Sequence, residues 1–174
     1  MQIRVRSTGQ VILDHEFRQM HAAQSIPFDL TEEVLNDWGG DLVFEGAQAT
    51  GGTVYQYSQY AGVEQKVDGK WYTKYILGPV FTDRAAIVST LPGGVDIPAA
   101  TAAEQEAEYK ARMDAERAAA MRIQRNEKLK DSDWTQLADS PVNKTAWATH
   151  RQALRDISSQ TGFPWTITWP DAVE

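Results

Sequence analysis

Residues 99–130, AATAAEQEAEYKARMDAERAAAMRIQRNEKLK, decide the architecture. They contain no glycine or proline, and ten alanines stand between Ala99 and Ala120. Alanine loses least on entering a helix, so one unbroken helix of roughly 45 Å is expected at 1.5 Å per residue. Glu104, Glu106 and Glu108 lie near its start and Arg122, Arg125, Lys128 and Lys130 near its end, which complements the helix dipole at both termini. Tyr109, Met113, Glu116, Ala120 and Ile123 recur at alternating intervals of four and three. That is coiled-coil spacing, interrupted by Glu116, and Tyr109, Met113 and Ile123 are the expected contact residues of that stripe.

Upstream, residues 1–98 hold most of the β-branched and aromatic runs and read as short strands joined by turns. Ile3 and Val5 alternate with Arg4 and Arg6, Thr8-Gly9 turns the chain, and Val11-Ile12-Leu13 returns, an opening hairpin. Thr31 is placed to cap a short helix through Trp38, with Glu32-Glu33 in its first turn and Gly39-Gly40 closing it. Leu42-Val43-Phe44 resumes a strand. Residues 53–60, 63–67 and 70–77 are the clearest strand signals, and Asp68-Gly69 favours the tight turn whose twist matches paired strands. Tyr55, Tyr57, Trp71 and Tyr75 lie in these strands as candidate partner-binding rings. Aromatics on both faces call for cover on both sides or a partner on one. Leu91-Pro92-Gly93-Gly94-Val95-Asp96-Ile97-Pro98 reads as a linker.

Downstream, residues 131–137 read as a loop, and a second helix is expected over about 143–159, with Asn143 as its N-cap. Trp147, Leu154 and Ile157 share one face of it, with Ala146, His150 and Ala153 alongside, and Gly162 stands where a cap would end it. Four of the six tryptophans fall at Trp134, Trp147, Trp165 and Trp169. With Leu137, Leu154, Ile157 and Phe163 they make the expected core of a helical hairpin closed by an extended tail. On that packing, replacing Trp134 or Trp147 by alanine costs on the order of 3 to 5 kcal/mol each.

Composition sets limits. The 174 residues carry 24 acidic against 17 basic side chains, a net charge of −7, whereas a nucleic-acid partner calls for excess positive charge. No nucleic-acid partner is expected. There is no cysteine, so disulfides, thiolate metal sites and cysteine nucleophiles are out. No window is apolar for long enough to cross a bilayer, and Met1-Gln2-Ile3-Arg4-Val5-Arg6 has no apolar run after its arginines, so neither a secretion signal nor membrane insertion is expected.

Catalytic constellations are absent from the pattern. His15, His21 and His150 stand at no metal or triad spacing, and Asp14-His15-Glu16 with His21 reads as a polar strand-to-loop surface. Gly69-Lys70 ends no phosphate loop, because the glycine spacing is too long and Trp71 occupies the place of the magnesium-binding hydroxyl. Asn143-Lys144-Thr145 fits a helix cap better than a glycan acceptor. Glu32-Glu33 and Glu104, Glu106 and Glu108 suit helix starts better than an acid pair. No catalytic, cofactor-binding or metal-binding residue is nominated, no cofactor is expected, and the chain is expected not to be an enzyme.

One resemblance is specific. Arg125-Asn126, Ser132-Asp133-Trp134-Thr135-Gln136-Leu137, Asp139-Ser140-Pro141, Trp147 with Arg151-Gln152-Ala153-Leu154-Arg155-Asp156, and Gly162-Phe163-Pro164 ending in Trp169-Pro170 resemble the bacteriophage tail assembly chaperone-like domain. His150 stands where such modules more often carry tyrosine. The preceding helix is often part of the same arrangement, so the resemblance extends over about residues 101–170. Gly69 to Tyr75 and Gly78 to Asp83 are similar in style to short phage virion proteins. The resemblance implies a tailed-phage protein, in the virion tail and in the host cytoplasm during assembly. Its partners would be other phage tail or fibre proteins, its own copies in a homo-oligomer (a trimer first), and a host-surface glycan or receptor.

The expected fold is α+β: a small antiparallel β domain with a short helix over residues 1–98 that docks on a partner, a connecting helix over 99–130, and the helical module over 131–174. A structural tail or fibre part is expected first, with a soluble assembly chaperone and a glycan-binding tip protein as alternatives.

Overall fold

The computed structural model describes every residue except Pro92 and Glu174. The chain forms two compact units, Met1–Val80 and Phe81–Glu174, and the fold is α+β.

The first unit is built on a five-stranded sheet. Its elements run β1 (Gln2–Val5), β2 (Val11–Leu13), α1 (Asp14–Met20), α2 (Glu32–Asp37), β3 (Gly40–Phe44), β4 (Tyr57–Gln65) and β5 (Trp71–Gly78). The strand order is β2-β1-β3-β5-β4. The opening hairpin forms as expected, with Ile3 opposite Ile12. The sheet is mixed where an antiparallel one was expected: β3 and β5 run parallel, Val43 beside Trp71 and Phe44 beside Tyr72. The physical reason is the connection, because β4 returns as the outer strand and delivers β5 back beside β3 in the same direction.

Alternation along β1 sends Ile3 and Val5 to one face, where they form a core with Phe17, Leu30 and Leu35. Phe17 belongs to α1, where a polar strand-to-loop surface was expected over residues 14–16. The Glu16 carboxylate accepts the Leu13 amide at 2.7 Å, so the helix starts directly off the strand. Thr31 caps α2 as expected, its hydroxyl accepting the Val34 amide. On the other face, residues 45–56 run over β4 and β5. The Gly46 amide donates to the Thr73 hydroxyl at 2.7 Å, and a Cβ at Gly46 would run into the Thr73 carbonyl. At the hairpin tip Gly69 has φ +79°, the left-handed conformation that the turn requires.

The second unit opens at Phe81, and within residues 84–100 Arg84 pairs with Ala100 and Ile87 with Ile97 in isolated antiparallel bridges. Of the expected linker, Leu91–Pro98, Ile97 takes part in these bridges and Pro92 lies outside the described residues. The long helix α3 is Ala102–Asp131. It begins three residues later than the composition suggests, because Thr101 and Glu104 form a capping box and the Asp83 carboxylate accepts the Ala102 amide at 2.8 Å. A 3-10 turn, Asp133–Gln136, stands in place of the expected loop. The helix α4 spans Lys144–Asp156, capped by Asn143 as expected, and continues as a 3-10 turn, Ile157–Ser159. Residues 161–165 form turns, so the segment expected to be extended, 163–170, opens in a turn. Gly162 lies among them, past the 3-10 turn, and its carbonyl accepts the amides of Trp165 and Thr166.

Candidate functional site

The second unit packs along one stripe of α3. Ala118 and Met121 are buried there, with Leu129 half-buried, and Leu154 and Ile157 are buried from the α4 side. The remaining bonds join polar atoms across this seam. Arg151 of α4 is only 7% exposed. Its Nη1 donates to the Leu129 carbonyl and to the Ser132 hydroxyl, both at 2.6 Å, and its Nη2 donates to Asp133 at 2.7 Å. One guanidinium therefore joins the Ser132 amide and hydroxyl, which also donate to the Leu129 carbonyl, in holding the end of α3.

The closing segment is tied to the same helix. Trp165 Nε1 donates to Asp114 at 2.5 Å, the Arg122 guanidinium stands 5.5 Å from the Phe163 ring centre, and the Lys128 ammonium stands 5.4 Å from that of Trp169. Two cations and one carboxylate acceptor along α3 thus meet three aromatic rings, which fixes the tail's register on the helix.

Of the expected core residues, Leu154 and Ile157 are buried, and Trp147, Phe163, Trp165 and Trp169 are half-buried. Trp134 and Leu137 are 50% and 59% exposed, and the buried position of that turn belongs to Thr135. Short 3-10 geometry turns Thr135 inward, its hydroxyl donating to the Ser132 carbonyl at 2.6 Å. Trp134, Trp147 and His150 line up ring to ring, at 6.2 Å and 5.5 Å between centres. Beside them a cleft of about 280 Å³ is lined by Lys128, Asp131, Ser132, Trp147, His150 and Pro170 among others.

The candidate partner residues fall in both units. At 3.6 residues per turn, Tyr109, Met113, Glu116, Ala120 and Ile123 share a stripe of α3 away from Ala118 and Met121. Ile123 is 60% exposed, whereas the Tyr109 ring is half-buried, 5.5 Å from that of Phe81, and Met113 is half-buried too. In the first unit, Trp71 and Tyr75 share a sheet face with Tyr60, and Tyr57 falls on the opposite one with Tyr72. Trp71 lies under the Arg4 guanidinium at 3.9 Å. The Tyr75 hydroxyl donates to Glu45 at 2.7 Å, Tyr55 is half-buried, and Tyr57 is 56% exposed.

Arg151 is the residue that pattern reasoning missed as a structural centre. It sits on a helix face read as apolar, and its partners lie 18 to 22 residues earlier, beyond any local spacing rule. Among the described residues no group of three or more histidine, aspartate or glutamate side chains is placed to hold a metal ion, and no helix is long and apolar enough to cross a membrane.

No curated protein and no solved structure matches the chain. Over residues 118–172, which span the buried stripe of α3, the Arg151 contacts and the closing segment, it matches the family model described as phage tail assembly chaperone protein, so this segment is a tail assembly chaperone-like domain.

Proposed function

We propose that the chain is a structural part of a phage tail or tail fibre, acting by protein–protein contact and catalysing no reaction. The observation that carries this reading is the family match over residues 118–172, the part of the chain with its own seam of Ala118, Met121, Leu154 and Ile157. It is supported by exposed Trp134, Leu137 and Ile123, large apolar side chains of the kind that binding surfaces use. The first unit docks on a virion component, and copies associate through the Tyr109 to Ile123 stripe, with a trimer as the first choice.

Quantitative mass spectrometry of purified virions tests this. The chain is expected at a fixed ratio to the major tail protein after density-gradient purification. The family's description favours a second reading, a soluble chaperone that holds a tail or fibre protein during assembly and then leaves. Abundance in the infected-cell lysate with absence from particles would select it.

A further inference from the structure

Early in the second unit the chain leaves apolar side chains in water. Between Arg84 and Ala100 it doubles back as an arm, with Ile87 opposite Ile97 and the Gly94 amide donating to the Leu91 carbonyl in the turn. Ile87, Val88, Leu91, Val95 and Ile97 are exposed by between 43% and 84%. One exposed apolar residue is ordinary, but five within eleven residues make a patch.

The arm is also incomplete as a sheet and empty of free charge. Its strands meet only at the Arg84–Ala100 and Ile87–Ile97 bridges, and the amides of Val88, Thr90 and Val95 have no partner among the described residues. Such edges accept another strand. Arg84 and Asp96 are its only charged residues, and both are engaged. Arg84 Nη2 donates to the Pro98 carbonyl at 3.3 Å, and the Asp96 carboxylate accepts the Ser89 amide at 2.9 Å.

Charge and area together select what covers it. A foreign partner is steered and oriented by complementary charge, and the arm offers none. Two copies of this chain, each at −7, repel one another, so a contact between them favours a neutral patch that matches itself. Apolar side chains beside strand edges that carry both amide donors and carbonyl acceptors match themselves in this way. The five side chains expose on the order of 500 Å², so two arms laid together bury about 1,000 Å², the size at which specific interfaces begin. The stripe on α3 offers less. Tyr109 packs on Phe81, Met113 is half-buried, and of its large apolar side chains Ile123 alone is exposed. We propose that residues 84–97 form the contact between copies of this chain, arm against arm. The inference rests on the reading that copies associate, and moves their contact from α3 to the arm.

Sedimentation equilibrium of the full chain from about 10 μM to 1 mM tests this. The wild type is expected to exceed the mass of one chain, with a Kd of about 10 to 100 μM, as suits a contact at the lower size limit. Leu91→Asp/Val95→Asp should raise that Kd at least about tenfold, and Leu91→Ser/Val95→Ser, which adds no charge, at least about threefold. Both positions already lie in water, so thermal melting should not move. Ile123→Asp should leave the Kd unchanged. Raising salt from about 0.15 to 0.5 M should hold or tighten the association, because it screens like charges and spares apolar contact. A single-chain mass at every concentration overturns the arm contact, as does equal association in wild type and both arm variants, dissociation by Ile123→Asp, or dissociation by salt. A chain that associates through the arm yet is missing from purified virions counts against the tail-part reading and not against the arm. A monomer carried in virions at a fixed ratio does the reverse.

Discussion

At the scale of single residues, the side chain with most at stake in the second unit is Arg151. Its ion pair with Asp133 is cheap to lose, because the Asp133 side chain is 64% exposed and water screens exposed pairs to less than about 1 kcal/mol. Its bonds to the Leu129 carbonyl and Ser132 hydroxyl are different, since they are charge-assisted bonds made by a nearly buried guanidinium, whose truncation also leaves a gap between the helices. Arg151→Ala is therefore expected to destabilise the second unit by about 2 to 4 kcal/mol and Asp133→Ala by less than about 1, read by urea unfolding. Equal losses would place the stabilisation in the ion pair instead. Trp134 follows the same logic of burial. Half of it is already in water, so Trp134→Ala is expected to cost about 1 kcal/mol and Trp147→Ala more, in place of equal losses of about 3 to 5. The sequence announced tryptophan density without saying which rings would be covered, because that depends on the 3-10 turn that points Thr135 inward.

At the scale of elements, what was legible followed local rules. Thr31, Asn143 and the Asp68-Gly69 turn each act within a few residues of themselves, and each is found in its expected role. What was hidden depended on distant partners. The parallel β3–β5 pair needs a return path of 26 residues between Phe44 and Trp71, and α1 starts without a side-chain cap on Leu13. Capping also makes these elements sensitive to acid. Amide and hydroxyl donors of Thr101 hold the Glu104 carboxyl below its ordinary range, and the Lys70 amide and Tyr72 hydroxyl do the same for Asp68. Both groups have folded pKa values below the unfolded ones, so their stabilisation is present above the unfolded pKa and is lost as pH falls through the folded value. Below about pH 4, amide exchange at Thr101 and Lys70 should quicken, and Glu104→Gln should remove that acid dependence at Thr101 alone. Lys70 runs the other way. The Glu32 carboxylate raises its pKa, so that contribution persists below the unfolded value and fades only as strong alkali is approached.

For the whole molecule, the open question of use turns on whether the chain travels with the particle. The match to the tail assembly family lies within the second unit, over residues 118–172, so the two parts of the chain give separable handles on it. If the tail assembly-like segment is what neighbouring tail proteins recognise, Arg151→Ala, which loosens that segment, should lower the copy number in purified virions. Gln65→Ala, which alters one exposed side chain of the first unit, should leave it unchanged. Mass spectrometry of particles made with each variant reads both numbers in one experiment. Full incorporation of a demonstrably destabilised Arg151→Ala chain would move recognition to the first unit. A released chaperone gives a third pattern: no copies in any particle, with a fall in assembled tails for Arg151→Ala at the permissive limit of temperature. That pattern follows because a holder that unfolds more often is present in its binding-competent form less of the time.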